Sequence, residues 1–234
     1  YERAVQCVEA EIDFIDETFT KLRGRKAVML REDFCGTLNT SCEWVRRRKG
    51  NIALGVDLDP APLAWGREHH VASLTAEQGS RVFIHEGNVL EPVPVKDLIP
   101  ESVRRDVGSP NGRFDTILAM NFSYWCFKDR AVLLRYLRAV REALVEDGVL
   151  FMDFYGGADA LKEVRERRPI PRARSGDEGF RTGGYNGPFT YLWDQHRYNP
   201  ITGDLTCHIH FRFPDGSSIR NAFSYYWRLW TLPE

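Results

Sequence analysis

The residues Arg31-Glu32-Asp33-Phe34-Cys35-Gly36-Thr37 place two carboxylates, a thiol and a glycine turn directly behind the apolar run Ala27-Val28-Met29-Leu30. Further on, Asn51-Ile52-Ala53-Leu54 leads into Gly55-Val56-Asp57-Leu58-Asp59. A strand, a tight turn, a helix, a second strand and then a carboxylate form the layout of a nucleotide or nucleoside site. Backbone N–H groups at a helix N-terminus meet the ligand, and the later acid accepts both ribose hydroxyls. The pair of motifs therefore points to a cofactor that contains adenosine. Asp57 stands at the ligand position, whereas Asp59, just before Pro60, suits a helix cap.

Other residues carry weaker signals. Cys35 is placed like a nucleophile, yet a small side chain packing at the turn is the simpler reading. Glu32 is open to three readings: a ligand of the cofactor's amino group, an acid that orients the turn, or a plain loop acid. Asn121-Phe122-Ser123-Tyr124-Trp125 gathers polar and aromatic groups after the fourth strand and is the best acceptor-facing segment. Asp194 with His196, and His208 with His210, recur at spacing two on strand-like runs. Any of these histidines can act as a base, His196 among them, or stand on the open face of a half-buried sheet. No third ligand has the spacing a metal needs. The Arg-rich run Arg165 to Arg174 reads as a solvated loop or, alternatively, as a contact for an anionic substrate.

The elements that position these groups follow from periodicity. Val5, Val8, Ile12, Ile15, Phe19 and Leu22 form a narrow apolar stripe on a helix over 5–22, which Gly24 ends. A strand is expected at 26–31 and a helix at 39–49, whose last-turn cations Arg46 to Lys49 suit the negative end of its dipole. Next come a strand at 52–57, a helix at 60–77 with Pro60 and Pro62 in its first turn, and a strand at 81–85. A loop rich in Pro and Gly spans 91–113. A strand at 114–119, a helix at 129–146, the turn Asp147-Gly148 and a strand at 149–154 complete the alternation. Repeated βα units with apolar strands imply a parallel sheet covered on both faces.

Beyond Gly156-Gly157 the pattern changes. A short helix is expected at 158–167 and a mobile loop at 168–188. Three alternating aromatic runs follow, Thr190 to Tyr198, Leu205 to Phe213 and Ile219 to Trp230, as an antiparallel meander. Thr231-Leu232-Pro233-Glu234 has the form of a capping box. A helix should begin there, so the natural protein is expected to continue.

Composition narrows the function. The 234 residues suit one large domain with an appendage, and a net charge of −1 leaves no footprint for nucleic acid. No apolar run approaches the roughly 20 residues of a membrane span. Five scattered cysteines without a Cys-x-x-Cys pair read as reduced thiols in a cytoplasmic protein.

In this order the motifs resemble class I S-adenosylmethionine-dependent methyltransferases over about residues 26–155. The resemblance implies an α/β fold, a Rossmann-like doubly wound, mostly parallel sheet with an appended antiparallel β meander. Its sixth and seventh strands would lie beyond Glu234. The aromatic meander is similar to the antiparallel lid of small-molecule methyltransferases such as glycine N-methyltransferase. The implied domains are an N-terminal lid helix over 1–24, a cofactor-binding core over 25–157, and a loop and antiparallel lid over 158–234. The implied cofactor is S-adenosyl-L-methionine, and the partner is a small-molecule methyl acceptor, with no nucleic acid and no membrane.

By the same resemblance, Glu32 holds the first-strand acid position, and Cys35, Gly36 and Thr37 match the centre of a Cys-Gly-Thr-Gly turn. Asp57 binds the ribose diol and Leu58 covers adenine. Asn88 and Val89 reach the adenine amine, and Met120 faces the methionyl part. Asn121, Tyr124 and His196 are the acceptor-side, catalytic candidates. Three positions depart from the pattern. Phe34 and Leu38 stand where glycines are usual, which implies a wider turn or a different approach of the cofactor. Asn88 replaces an Asp, so its amide oxygen accepts without a formal charge. Asn121 to Trp125 also lacks the Asn-Pro-Pro-Tyr signature of amino-methylating enzymes of DNA and glutamine. Two other readings stay in play: a nicotinamide-dependent dehydrogenase, which wants three glycines in its turn, and a methyltransferase acting on protein or RNA.

Overall fold

The computed structural model describes residues 1–174 and 184–234. Contacts divide them into two compact units. One comprises Cys7–Asn121 with Leu134–Asp153, the other Tyr1–Gln6 with Phe122–Leu133 and Phe154–Glu234. After a short helix α1 (Glu2–Val5), the first unit opens with α2 (Val8–Arg23), which ends at left-handed Gly24 (φ +68°), whose N–H reaches the Thr20 carbonyl. The unit's strands are β1 (Met29–Asp33), β2 (Ile52–Asp57), β3 (Val82–Glu86), β4 (Phe114–Ala119) and β5 (Leu144–Met152). They lie in the order β3-β2-β1-β4-β5, every pairing parallel. The strand order reverses beside β1, the switch point at which such sheets open a crevice for ligands.

Between the strands run α3 (Asn39–Arg47), α4 (Pro60–His69), a short α5 (Ala76–Gly79), α6 (Val95–Leu98), α7 (Glu101–Asp106) and α8 (Arg130–Ala143). On one face of the sheet, Ile12, Ile15 and Phe19 of α2 and Trp44 and Val45 of α3 pack on Leu30, Ala53 and Leu118. Burying each such side chain stabilises by ~1.5–3 kcal/mol. The apolar stripe of α2 is thus built into this packed layer. Val5 belongs to the other unit's core, and Leu22 is exposed.

Several boundaries differ for physical reasons. The strand expected at 26–31 carries its motif acids within it, because Glu32 and Asp33 find buried partners. The helix expected to reach 77 stops at His69, where a 3₁₀ turn (Val71–Ser73) leads to α5, capped by Thr75 and Gln78. The 91–113 loop holds α6 and α7. Asp147-Gly148 is not a turn but part of β5, where the pairing with β4 shifts register between Phe114 and Thr116.

The second unit contains an antiparallel sheet in the order β6-β7-β8-β9, with β6 Val164–Ile170, β7 Phe189–Tyr198, β8 Asp204–Arg212 and β9 Ser218–Arg228. The meander expected to have three strands has four. Residues 158–167 are not a helix: a 3₁₀ turn (Ala158–Leu161) precedes β6, and the strand reaches into the stretch expected as a loop. Residues 175–183 of that expected loop lie outside the described residues. As an edge strand, β6 tolerates charge and Pro169 because only one side is paired. Two of its three cations are engaged within the unit. Arg165 pairs with Asp194, and Arg168 reaches the Ala4 carbonyl and lies over the Tyr191 ring at 5.1 Å. Ile170, Phe189, Tyr191, Ile209 and Phe211 form this unit's apolar core with Ala4. Trp125 and Trp227 meet edge to face at 5.6 Å, and the Trp230 indole N–H donates to the Phe127 carbonyl (3.0 Å).

Candidate functional site

At the carboxyl end of β1 the chain takes a path that side chains resist. Phe34, Gly36 and Leu38 have φ of +59°, +51° and +66°. Left-handed backbone costs roughly 1–2 kcal/mol for a residue with a Cβ, and such strain concentrates at functional turns. The two positions where glycine is usual in the resembled family therefore keep a glycine-like backbone while carrying side chains. Those side chains are used for packing. The Leu38 side chain is buried with Cys35, Cys42 and Leu63, and a Cβ at Gly55 would stand 2.3 Å from Leu38 Cδ2. Phe34 lies 5.9 Å from the Tyr136 ring.

Asp57 ties the turn to β2. Its Oδ2 accepts the Gly36 N–H (2.7 Å) and its Oδ1 the Asp59 N–H (2.9 Å). A carboxylate has about four lone-pair sites, so each oxygen retains acceptor capacity. The Cys35 N–H donates to the Val56 carbonyl (3.1 Å), and the Gly87 N–H to the Asp57 carbonyl (2.8 Å), so the ends of β1, β2 and β3 are laced together. Asp59 caps α4 by accepting the Ala61 N–H (2.9 Å). Leu58, between the two acids, is 69% exposed. A large apolar side chain in solvent beside a carboxylate with spare acceptor sites fits a nucleoside, whose planar base would cover the one while its ribose donates to the other. Of the remaining expected ligands, Asn88 turns its Oδ1 to the Leu90 N–H (3.0 Å), Val89 is buried, and Met120 packs at the margin of the core that covers α2 and α3.

Glu32 is buried, and its Oε2 accepts both the N–H (2.9 Å) and the hydroxyl (2.5 Å) of Ser41. This geometry ties Glu32 to the first turn of α3. Burial pushes its carboxyl up to about 7, against the opposing pull of the Ser41 and Thr40 bonds. Asp33 points to the opposite face, where Arg31 Nε (2.6 Å) and the Tyr136 hydroxyl (2.8 Å) donate to it. Burial raises its carboxyl, and Arg31 and Tyr136 partly offset that. Cys35 is buried in the cluster with Leu38, Cys42 and Leu63, and burial and the neighbouring acids raise its thiol well above the ordinary range.

Sequence reasoning missed the Asp33–Tyr136 bond, for which no local spacing exists, and Ser41 as the partner of Glu32. It also passed over Gly66. This isolated glycine inside α4 lets the helix meet the turn backbone, because a Cβ there would lie 2.3 Å from the Thr37 carbonyl oxygen.

Asn121 and Phe122, after β4, are two consecutive left-handed residues (φ +58° and +57°). Tyr124 and His196 belong to the second unit. Tyr124 is fully buried, and His196 is exposed with its ring 5.5 Å from that of His208. His210 has both nitrogens engaged, Nδ1 accepting the Asn221 N–H (2.9 Å) and Nε2 facing Asp194 (3.3 Å). Burial and the neighbouring His196 lower the His208 imidazolium.

No protein-family model and no curated protein matches the sequence. Solved structures do. The sugar N-methyltransferase KedS8 from Streptoalloteichus sp ATCC 53650 aligns with a TM-score of 0.65 at 18% identity, over 97% of this chain and 76% of its own. An S-adenosylmethionine-dependent methyltransferase from Clostridium acetobutylicum ATCC 824 aligns at 0.66 and 17%, over 99% and 78%. CalS10, an amino pentose methyltransferase from Micromonospora echinaspora solved with S-adenosylmethionine bound, aligns at 0.68 and 13%, over 100% and 81%. The chain has the fold of these methyltransferases. The likeness covers the residues of the five-stranded parallel sheet and those of the four-stranded antiparallel meander.

Proposed function

We propose that this chain is an enzyme that transfers the methyl group of S-adenosylmethionine to a small-molecule acceptor. The observation that carries the reading is Asp57, which anchors the Gly36 turn and retains acceptor sites beside the exposed Leu58. The cofactor-binding set is Glu32, Cys35, Gly36, Thr37, Asp57, Leu58, Asn88, Val89 and Met120. Within it Glu32 and Cys35 act through the turn they position, and Asn88 offers the one acceptor lone pair its local bond leaves. When bound, S-adenosylmethionine supplies a methyl group already activated on a sulfonium. The residues of the chain need only bind, orient and exclude water, and fixing two reactants can contribute ~7–11 kcal/mol. Ribose hydroxyls donating to the Asp57 carboxylate form charge-assisted bonds worth ~1.5–3 kcal/mol each, not additively. Asn121, Tyr124 and His196 are the acceptor-side groups.

The neighbours named for sugar and amino pentose substrates support a polar small-molecule acceptor with an amine or hydroxyl. The near-neutral charge favours the same class over RNA, and the scattered thiols favour a cytoplasmic setting. No helix among the described residues is long and apolar enough to cross a membrane. The nicotinamide reading has no supporting feature.

The test is turnover. Purified protein is incubated with S-adenosylmethionine and a panel of amino sugars, hydroxylated small molecules and RNA, and S-adenosylhomocysteine release is measured. Acceptor-dependent release with a small molecule is expected. Release that depends only on RNA, or reduction of NAD by the same panel, overturns the reading. The acceptor-side variants Asn121→Ala, Tyr124→Phe and His196→Ala should lose turnover while cofactor affinity holds.

A further inference from the structure

Away from the cofactor turn, a groove of about 770 Å³ runs in the first unit between the β3–β4 connection and α8. One wall is the apolar stretch Pro92-Val93-Pro94, and the other includes Ala139 and Ala143 of α8. Arg31 lines this groove from the middle of the sheet, although it is only 3% exposed. Its Nε is committed to Asp33 (2.6 Å), while its Nη2 is buried with no hydrogen-bond partner among the described residues. An unmade bond on a buried charged donor is costly, and each such orphan in a native fold asks for a partner. Four further cations, Lys96, Arg113, Arg135 and Arg138, line the same groove against three acids. None of the four forms an ion pair among the described residues.

We infer that this groove is a second ligand site, separate from that of the methyl donor, for a small molecule bearing a phosphate or carboxylate. Nη2 of Arg31 donates to the anionic group at the floor, which leaves the Nε–Asp33 bond intact. Charge-assisted bonds to a guanidinium are about twice as strong as neutral ones, and Arg135 and Arg138 stand on exposed turns of α8 to meet charge nearer the mouth. The volume exceeds that of a bare anion and lies in the range of small-molecule pockets. The proline-rich wall therefore takes the ligand's apolar or planar body. Arg31 lies three residues before the left-handed Phe34, so the site is close along the chain to the strained turn.

Calorimetric titration with inorganic phosphate and with citrate tests the inference, at constant ionic strength set by sodium chloride and in the presence of saturating S-adenosylhomocysteine. Saturable binding of at least one of them is expected, at one site per chain. Arg31→Gln should weaken it at least tenfold. Because that change also strands Asp33, the double variant Arg135→Gln/Arg138→Gln, on exposed positions, is measured beside it and should weaken binding several-fold with an unchanged circular dichroism spectrum. The preferred probe identifies the ligand's anionic group. The inference is overturned if neither probe binds saturably, if the double variant binds as tightly as the parent protein, or if S-adenosylhomocysteine displaces the anion.

Discussion

Glu32 offers a pH signature that can be worked out in advance. Its ordinary value is 4.5, and in the folded chain burial lifts it to about 7. Between these values the native state holds a proton that the unfolded chain has released, so stability falls as pH rises, by up to ~1.4 kcal/mol per unit. The favourable contribution is full below 4.5 and is lost as pH passes 7. From pH 5 to pH 8.5 the loss is about 2.5 kcal/mol for this one group. Glu11 and Asp33 are also raised by burial and slope the same way, so the parent curve alone does not isolate Glu32. The variant Glu32→Gln does: it keeps an oxygen for the Ser41 N–H and cannot ionise. Urea unfolding of both proteins across pH 5 to 8.5 should show their stability difference shifting by about 2.5 kcal/mol in favour of the variant at high pH. Ser41→Ala, which removes the hydroxyl bond of 2.5 Å, should move the midpoint of that shift to still higher pH. A difference that stays constant with pH would show that Glu32 titrates as an ordinary acid, and the reasoning from burial would fail.

Three further outcomes follow from the same geometry. Tyr136→Phe removes the hydroxyl bond to buried Asp33 and should cost about 1–3 kcal/mol in urea unfolding at neutral pH, with little loss of secondary structure. Gly66→Ala drives a Cβ to 2.3 Å from the Thr37 carbonyl oxygen and should destabilise by about 1–3 kcal/mol, with weakened S-adenosylhomocysteine binding as a second readout because the turn must shift. Thiol labelling of the native protein should modify Cys7 and Cys126, the latter slowly at neutral pH because its thiol is pushed up to about 11, and spare buried Cys35, Cys42 and Cys207 until unfolding.

Much of the architecture is legible in local pattern. The strands 52–57 and 114–119 carry the same bounds in sequence and structure, because each is a short apolar run closed by a turn. Gly24 and Asp59 act as the caps their types suggest. β6 escapes the pattern because an edge strand has no need of apolar alternation, and Arg-Glu-Arg-Arg reads as solvated loop until Asp194 and Tyr191 are known to face it. Asp147-Gly148 looks like a turn, yet its place in β5 is set by pairing with a strand far away in the chain. At the site, the positions of Gly36 and Asp57 follow from motif spacing, and the bond between them does not. The left-handed backbone at Phe34 and Leu38 is likewise invisible, since residue type argues against it and tertiary packing overrides the preference.

The most direct test of the central claim is calorimetric titration of the purified protein and its Asp57→Asn variant with S-adenosylhomocysteine. The parent protein should bind one equivalent. The variant keeps the side-chain volume but loses the charge that ribose hydroxyls would meet, so it should bind at least about tenfold more weakly, the equivalent of ~1.4 kcal/mol. Equal affinities in the two proteins, or no binding by the parent, would contradict the assignment of that acid to the cofactor.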